Sequence, residues 1–288
     1  MKKRLFILCY TMIAFLAKAQ EATVAYKTDT WNYGATKNLK LKTNCEMADL
    51  VITKIGGDKI IIKCTYSAKH LDKAIAVKDL SKHNIRVKKT LNEIFISNYF
   101  TTNNNDKEPK AKLNIKFEIQ LPNDVVLDVQ NNFGSFSLMD LALKGNLVQD
   151  YGKVDLKNTS GSLMVKGKLT NINILHFNGA LEIKNKSGDV IAEDISGSTL
   201  FIQNSNANIK LKEIANTVNV KLQLTNCDLT CKKINYSQHG ISIRSYKEAI
   251  TQQLGLVMQN NKEVYTINNN KALPGFIIQA EYTKINLQ

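Results

Sequence analysis

The feature that most constrains the fold is a three-residue unit, apolar, any residue, apolar, that recurs at a nearly constant interval. From Val154 to Val218 eight such units follow one another at steps of 9 or 10 residues. In a strand the two outer side chains of such a unit point to the same side. The spacing therefore predicts a series of short strands with one apolar face each. A strand this short cannot bury its apolar face alone, so the units are expected to stack.

Glycine and asparagine separate the units, and both tolerate a positive φ. We predict that the chain bends at these residues, which we name Gly134, Gly152, Gly161, Gly179, Gly188, Gly197, Asn206 and Asn226. Bends of one kind recur mostly at every second unit, so two units would close one rung of about 18 residues. The predicted fold class is all-β, a single-stranded β-helix (β-solenoid) with a small helical insertion near the N-terminus. An antiparallel β-sandwich with regular turns is the alternative.

The N-terminal segment 1–19 has the pattern of a secretory signal peptide. Lys2, Lys3 and Arg4 precede an apolar run from Leu5 to Ala17, and an Ala-Lys-Ala sequence fits cleavage before Gln20. The apolar run is too short for a permanent membrane-spanning helix. We expect an exported protein of the periplasm, the outer cell surface or the medium, and not an integral membrane protein.

The rest of the chain divides into three parts. Segment 20–121 is interpreted as a leading β-element, an N-terminal cap with a helix over Ala68–Leu80 and an exposed loop over Tyr99–Lys112; a separate domain is the alternative. Segment 122–231 carries the solenoid repeats. Segment 232–288 loses the nine-residue step but keeps short apolar runs that predict strands, among them Ile241–Ile243, Leu254–Met258 and Phe276–Ala280. It is interpreted as irregular terminal rungs and a C-terminal cap.

The formal charge of +14 falls to +10 when the four basic residues of segment 1–19, which contains no acid, are removed. A cationic excess can indicate nucleic acid or an anionic surface. Export argues against nucleic acid, and the lysines are scattered. We therefore expect a solvated surface with mild attraction to acidic glycans or lipopolysaccharide.

Four cysteines remain after the signal segment, too few for a disulfide framework in a chain of this size. Cys227 and Cys231 lie four residues apart on one strand, about 13 Å. This separation is too large for a disulfide or for a shared tetrahedral metal ion. Both lie an even number of residues from Leu229, so they point to the same side of the strand as that apolar residue. We therefore predict that they are buried thiols.

Two kinds of short motif resemble a known family. Phe133-Gly134 and Tyr151-Gly152 begin one kind, and Ser160-Gly161 and Ser187-Gly188-Asp189 form the other. They resemble the Phe/Tyr-Gly and Ser-Gly-Asp repeats of the bacterial putative-adhesin domain family, common in envelope proteins of the Bacteroidetes. The resemblance spans most of the mature chain and implies a β-helix, right-handed in that family, and an adhesin role without catalytic residues. After Asp189 the Ser-Gly-Asp signature is lost.

Neither predicted outward face collects the converging carboxylates that a polysaccharide-cleaving β-helix needs. The first comprises Asp155, Asn173, Ile191, Lys210 and Thr230, and the second Met164, Glu182, Phe201 and Asn219. Phe201 stands alone as an outward ring, and Tyr151 and Phe177 are interpreted as corner packing. The bends lack the Gly-Gly-x-Gly-x-Asp sequence of a calcium-bound β-roll.

The sequence thus predicts a non-enzymatic envelope protein that binds a macromolecule, a glycan or another envelope component, without cofactor or metal. A β-helix lyase or hydrolase and a structural periplasmic spacer are the alternatives.

Overall fold

The computed structural model describes residues 22–101, 109–246, 250–251, 257–258, 264–267 and 272–288. Within these ranges the chain is all-β, with seventeen strands and one α-helix, which confirms the all-β part of the predicted class. The segment 1–19, half of the loop predicted over Tyr99–Lys112 and part of the run predicted as a strand over Leu254–Met258 lie outside the described residues.

The elements fall into three groups along the chain. The first group is β1 (Thr23–Gly34), β2 (Lys40–Glu46), β3 (Ala48–Lys54), β4 (Lys59–His70), α1 (Lys73–Leu80), β5 (His83–Lys89), β6 (Glu93–Phe100) and β7 (Lys112–Leu121). The second, in the repeat region, is β8 (Val126–Met139), β9 (Ala142–Lys186), β10 (Val190–Ile214) and β11 (Asn219–Lys232). The third is a 3-10 turn (Tyr236–Gln238), β12 (Gly240–Tyr246), β13 (Ile250–Thr251), β14 (Val257–Met258), β15 (Val264–Ile267), β16 (Gly275–Glu281) and β17 (Lys284–Leu287).

Pairing in the repeat region is parallel and follows a nearly constant step. Val126 pairs with Lys144 and Ile172 with Val190, the same interval along the chain, and Thr199 pairs with Asn219, an interval two positions longer. An antiparallel sandwich would not produce this register. We use the word coil for each stretch of chain between one residue and its parallel partner. A coil adds one segment to each of two ladders, which we call ladder A (through 126–132) and ladder B (through 135–139).

The apolar rows of both ladders point towards each other and form one core. Leu181, Ile183, Val190, Leu200 and Ile202 are each no more than 1% exposed, in agreement with the alternation in the sequence. This core continues without interruption from β2 and β3 to β16 and β17. Each coil therefore buries its apolar residues against the coils on either side.

The order of the coils in space departs from their order in the chain at both ends. At the N-terminal end β2 lies between β6 and β8, and β3 lies between β7 and β8. At the C-terminal end β16 lies between β11 and β12, and β17 between β11 and β13. The first coil and the last are thus hydrogen-bonded along both edges. Antiparallel strands then cover the outer layers: β5 on β6, β4 and β1 on β7, and β15 and β14 on β12.

The helix predicted over Ala68–Leu80 is wrong in its first part. Ala68 belongs to β4 and pairs with both Ala25 and Leu113, and α1 begins only after Asp72, whose carboxylate accepts a hydrogen bond from the Ala74 amide at 2.7 Å. Strand pairing on two sides outweighs the local helical pattern. Strand β1, its partner, was not predicted.

One buried carboxylate joins α1 to β7. Asp79 is 3% exposed. Its carboxylate accepts hydrogen bonds from the backbone amides of Lys110 and Ala111, at 2.7 and 2.8 Å, and forms an ion pair with Lys82 at 3.1 Å. Burial acts to raise the pKa of this carboxyl group, but the three donors outweigh it and the pKa is lowered.

Candidate binding surface

The corner between ladder A and ladder B is made by one left-handed residue in each coil. The φ angles in this column lie between 51° and 62°, and the residues are Met47, Phe133, Tyr151, Leu169, Ser187, Asn206, Asn226 and Tyr282. None is β-branched, as the sterics of this conformation require. We call this column corner A. Its side chains are half-buried or exposed and point away from the core.

The predicted bend residues lie at the corners, but not all for the predicted reason. Gly161, Gly179, Gly188 and Gly197 and the two asparagines, Asn206 and Asn226, have positive φ. At Gly134 and Gly152 the left-handed residue is instead the preceding aromatic residue.

Glycine is required at these two positions by close approach. A Cβ on Gly152 would lie 1.9 Å from the carbonyl oxygen of Gly134, and one on Gly134 would lie 2.0 Å from that of Ala48. Successive coils therefore touch backbone to backbone beside corner A.

A column of buried amide side chains lies beneath corner A. Asn131, Gln149, Asn185 and Asn204 are each no more than 7% exposed and donate to backbone carbonyls of adjoining residues. Asn131 also donates to the Gln149 side chain at 2.9 Å. These bonds satisfy carbonyl groups that the sharp turn leaves without a strand partner. Sequence reasoning missed this column, although its members are spaced along the chain by one or two coil lengths, which is a usable signal.

Four consecutive residues of corner A, Met47, Phe133, Tyr151 and Leu169, form an exposed apolar strip. Their exposed fractions are 48, 52, 37 and 52%. We call these four residues the apolar strip.

The two aromatic rings of the apolar strip stack on one another. Their centroids are 4.7 Å apart and their planes differ by 8°. The Lys168 ammonium lies 5.6 Å from the centroid of the Tyr151 ring. Tyr151 therefore packs at the corner, as predicted, but it packs on the next ring at the surface and stays partly exposed. Phe177, by contrast, is 1% exposed and does pack inside.

A hollow of about 410 Å³ continues the apolar strip at its N-terminal end. Met47 is shared by the strip and the hollow, and the other lining residues are Phe100, Pro109, Ala111, Lys112 and Leu113. Apart from the lysine this lining is apolar. The strip and the hollow together make one continuous apolar surface across the first coils.

The opposite corner, between ladder B and the following coil, is polar. Its left-handed residues are Asp140, Asn158, His176, Asp194, Glu213 and Lys233. Neighbours bond along the column: Asn158 donates to Asp140 at 2.9 Å, His176 is hydrogen-bonded to Asp194 at 2.5 Å, and Lys233 is paired with Glu213 at 2.6 Å. The two corners thus share a backbone geometry and differ in chemistry.

The carboxyl groups with a clearly shifted pKa do not have the shift that acid catalysis needs. Wherever a carboxyl pKa departs clearly from its ordinary value in the described part of the chain, it is lowered, in Asp79, Glu118 and Glu213. The Lys233 ammonium is the main cause at Glu213, and Lys116 at Glu118. A general acid needs a raised pKa instead.

The predicted outward rows are nearly those of the structure. Ile191 pairs with Asn173 and Lys210 with Thr230, as the first row requires. In the second row Phe201 faces Lys221, whereas the predicted Asn219 pairs with Thr199. The step from coil to coil is longer here than in the first coils, which moves the row two positions away from the predicted one.

All four cysteines of the described part are free and buried. Burial raises the pKa of each thiol, to about 12 for Cys45. The described residues contain no group of three or more histidine, cysteine or acidic side chains placed to hold a metal ion. The α-helix of the described part spans eight residues and is too short to cross a membrane.

Comparison with known proteins gives two solved structures of low similarity. A putative cell adhesion protein from Clostridium sporogenes is 14% identical, with a TM-score of 0.25, over 91% of this chain and 99% of that chain. A putative adhesin from Bacteroides fragilis is 17% identical, with a TM-score of 0.30, over 72% of this chain and 97% of that chain. No protein-family model and no curated protein matches the sequence. At these scores the two structures carry no argument about fold or role.

Proposed function

We propose that the protein is an exported, non-enzymatic β-solenoid of the bacterial cell envelope that binds another envelope protein through the apolar strip. The parallel register, with its nearly constant step from coil to coil, supports the solenoid. The signal-peptide pattern of segment 1–19 supports export. The observation that carries the binding role is the chemistry of corner A.

Apolar residues are a costly choice at this corner. A left-handed backbone costs an ordinary L-residue roughly 1–2 kcal/mol, and asparagine adopts it more readily. Asn206 and Asn226 occupy the same column further along. The apolar strip therefore bears backbone strain and exposes its side chains to water. The stacked pair regains about 0.5–1.5 kcal/mol, which offsets only part of the roughly 2–4 kcal/mol of strain in its two residues. Backbone strain at an exposed apolar site indicates that these residues serve a function other than stabilising the fold.

The ring geometry favours a protein over a sugar as the partner. A sugar ring needs an open aromatic face. Here the Phe133 and Tyr151 rings cover each other, and Lys168 lies over the Tyr151 ring. The open surface consists of ring edges and aliphatic side chains over about 14 Å, three strand spacings, next to an apolar hollow. A ridge beside a hollow suits an aromatic or aliphatic anchor of a protein partner.

A double substitution tests this role. The variant Phe133→Asn with Tyr151→Asn removes the rings and installs the residue that the column uses elsewhere. We expect thermal unfolding within about 4 °C of wild type, since strain relief and lost stacking nearly cancel. We expect binding to the envelope fraction of the source cells to weaken at least about tenfold, as for loss of an interface anchor.

The matched control is Asn206→Ser with Asn226→Ser, because Ser187 shows that serine is accommodated in the column. This control should bind like wild type. Protease treatment of the envelope fraction should abolish the binding that depends on Phe133 and Tyr151, and periodate oxidation of its glycans should not. Unchanged binding by the double asparagine variant would contradict the proposal.

The alternatives give different outcomes. A polysaccharide lyase or hydrolase would shorten chains in a panel of acidic and neutral polysaccharides, and a spacer would bind neither protein nor glycan.

Export predicts that the protein recovered from the periplasm or medium begins at Gln20, and recovery of Met1 by mass spectrometry would contradict it.

A further inference from the structure

A second surface lies on the outer side of ladder A, in the later coils. It is a hollow of about 550 Å³ whose centre is a row of five paired residues, one from each of five neighbouring strand segments. The row reads Lys184, Gln203, Gln223, Gln279 and Arg244 in spatial order. We call it the glutamine groove. It exists because β16 is inserted between β11 and β12, which places Gln279 between Gln223 and Arg244.

The charged groups of the groove are unevenly matched. Lys184, Lys186 and Arg244 line it, against one acid, Glu281. Lys184 is paired with Glu182 at 2.6 Å and lies 5.9 Å from the centroid of the Phe201 ring. Within the described residues the side chains of Lys186 and Arg244 have no ion-pair or hydrogen-bond partner. The groove therefore presents two uncompensated cations to a ligand.

The neutral centre of the row carries both donors and acceptors. The Gln223 amide nitrogen donates to the Gln279 amide oxygen at 3.1 Å, which leaves the Gln279 amide nitrogen and the Gln223 amide oxygen for a ligand. Gln203 is exposed. Three side-chain amides in line match a ligand rich in hydroxyl groups, which also donate and accept.

We propose that the glutamine groove binds a linear carboxylated polysaccharide. Its carboxylates would bond to the guanidinium of Arg244, whose planar fork suits two carboxylate oxygens, and to Lys186, and its hydroxyls to the three glutamines. A single-stranded nucleic acid fits less well, because such strands are held largely by bases stacked on aromatic rings. The lining of the groove contains no aromatic side chain.

The proposed role of the groove is independent of the role proposed for the apolar strip, and the two surfaces share no residue. The test uses the full mature chain and fluorescence anisotropy with labelled oligomers of alginate and of polygalacturonate, two polyuronates. Neutral dextran and single-stranded DNA serve as comparison ligands. At an ionic strength of about 0.15 M, where exposed charges are screened beyond about 8 Å, we expect polyuronate binding, weaker DNA binding and no dextran binding.

Two variants and a matched control locate the binding. Lys186→Gln with Arg244→Gln should weaken polyuronate binding at least about tenfold, since each removes a charge-assisted hydrogen bond. Gln223→Ala should weaken it severalfold at unchanged net charge. Lys210→Gln with Lys232→Gln removes the same charge from ladder B and should leave the affinity within about twofold, because these exposed lysines lie away from the groove.

Three results would overturn the proposal: no binding of either polyuronate, DNA binding as tight as polyuronate binding, or an equal loss in the ladder B control. The Phe133→Asn, Tyr151→Asn variant should keep its polyuronate affinity. If polyuronate binding by the groove is not found, the proposed protein-binding role of the apolar strip is not affected. Likewise, a negative result for the apolar strip does not affect the groove.

Discussion

Replacing Ile183 by aspartate tests the inward and outward alternation on which the fold depends. Ile183 is 0% exposed and pairs across ladder A with Ile202, which is also fully buried. The substitution removes an apolar side chain from the core and puts a carboxyl group in its place. Because both ladders point their apolar rows at one shared core, the new group would lie among apolar side chains.

The cost has two parts. Removing a buried isoleucine side chain from the core forfeits about 1.5–3 kcal/mol of apolar burial. Leaving a polar group buried without a partner costs a further 1–3 kcal/mol or so, even if its raised pKa keeps it protonated. The total of about 3–6 kcal/mol is a large part of ordinary domain stability, which is about 5–15 kcal/mol. Urea unfolding followed by circular dichroism measures the difference.

The adjacent residue supplies the control. Glu182 points outwards and is paired with Lys184 at 2.6 Å at the surface, an interaction worth little in water. Glu182→Lys reverses a charge and should cost about 0.5 kcal/mol. If Glu182→Lys destabilises the protein as much as Ile183→Asp, the two side chains do not lie on opposite sides of the strand and the reasoning fails.

Three further outcomes follow from close contacts and buried groups. Gly152→Ala should cost more than about 2 kcal/mol, because its Cβ would lie 1.9 Å from a backbone oxygen, whereas Gly56→Ala, with no atom within 4 Å, should change stability by under about 0.5 kcal/mol in the same urea titration. The pKa of Asp79 is lowered on folding, so its stabilisation is complete above the ordinary value of 3.8 and is lost as the pH falls through the lower folded value. Asp79→Asn should therefore be less stable than wild type at pH 7, by a gap that narrows below about pH 3.8, and a constant gap would contradict this. The thiols, with the pKa of Cys45 raised to about 12, should resist a thiol reagent until the protein is denatured, and rapid native labelling would show that they are accessible.

The sequence predicted the repeat because its signal is local. A three-residue alternation repeated at a nine-residue step determines both the strands and the side that faces the core, and Leu181 and Ile183 are buried as predicted. The tail strands at Ile241–Ile243 and Phe276–Ala280 were also found from alternation alone. The same approach failed at Ala68, where a helix-like spacing competed with strand pairing to two segments that lie far away in the chain.

The order of the coils and the binding surfaces could not be predicted in this way. Pairing of β2 with both β6 and β8 places Lys40 beside Glu93 and Val126, which are both distant from it in the sequence. The stacked rings become visible only when Phe133 and Tyr151 are placed one above the other, one coil apart. The glutamine groove depends on the insertion of β16, and no local pattern near Gln279 indicates it.

A pair of internal deletions tests the solenoid most directly. Removing Ser162–Gly179 takes out one whole coil and puts Gly161 where Gly179 was. Each coil contacts only its neighbours, so the shortened protein should keep its β-sheet circular dichroism and a cooperative thermal transition at a somewhat lower temperature. Removing only Ser162–Thr170 takes out half of that coil and exchanges the two unlike corners in every later coil. That variant should lose the cooperative transition. Loss of cooperativity in the whole-coil deletion, or its retention in the half-coil deletion, would contradict a solenoid in which two strand units close each coil.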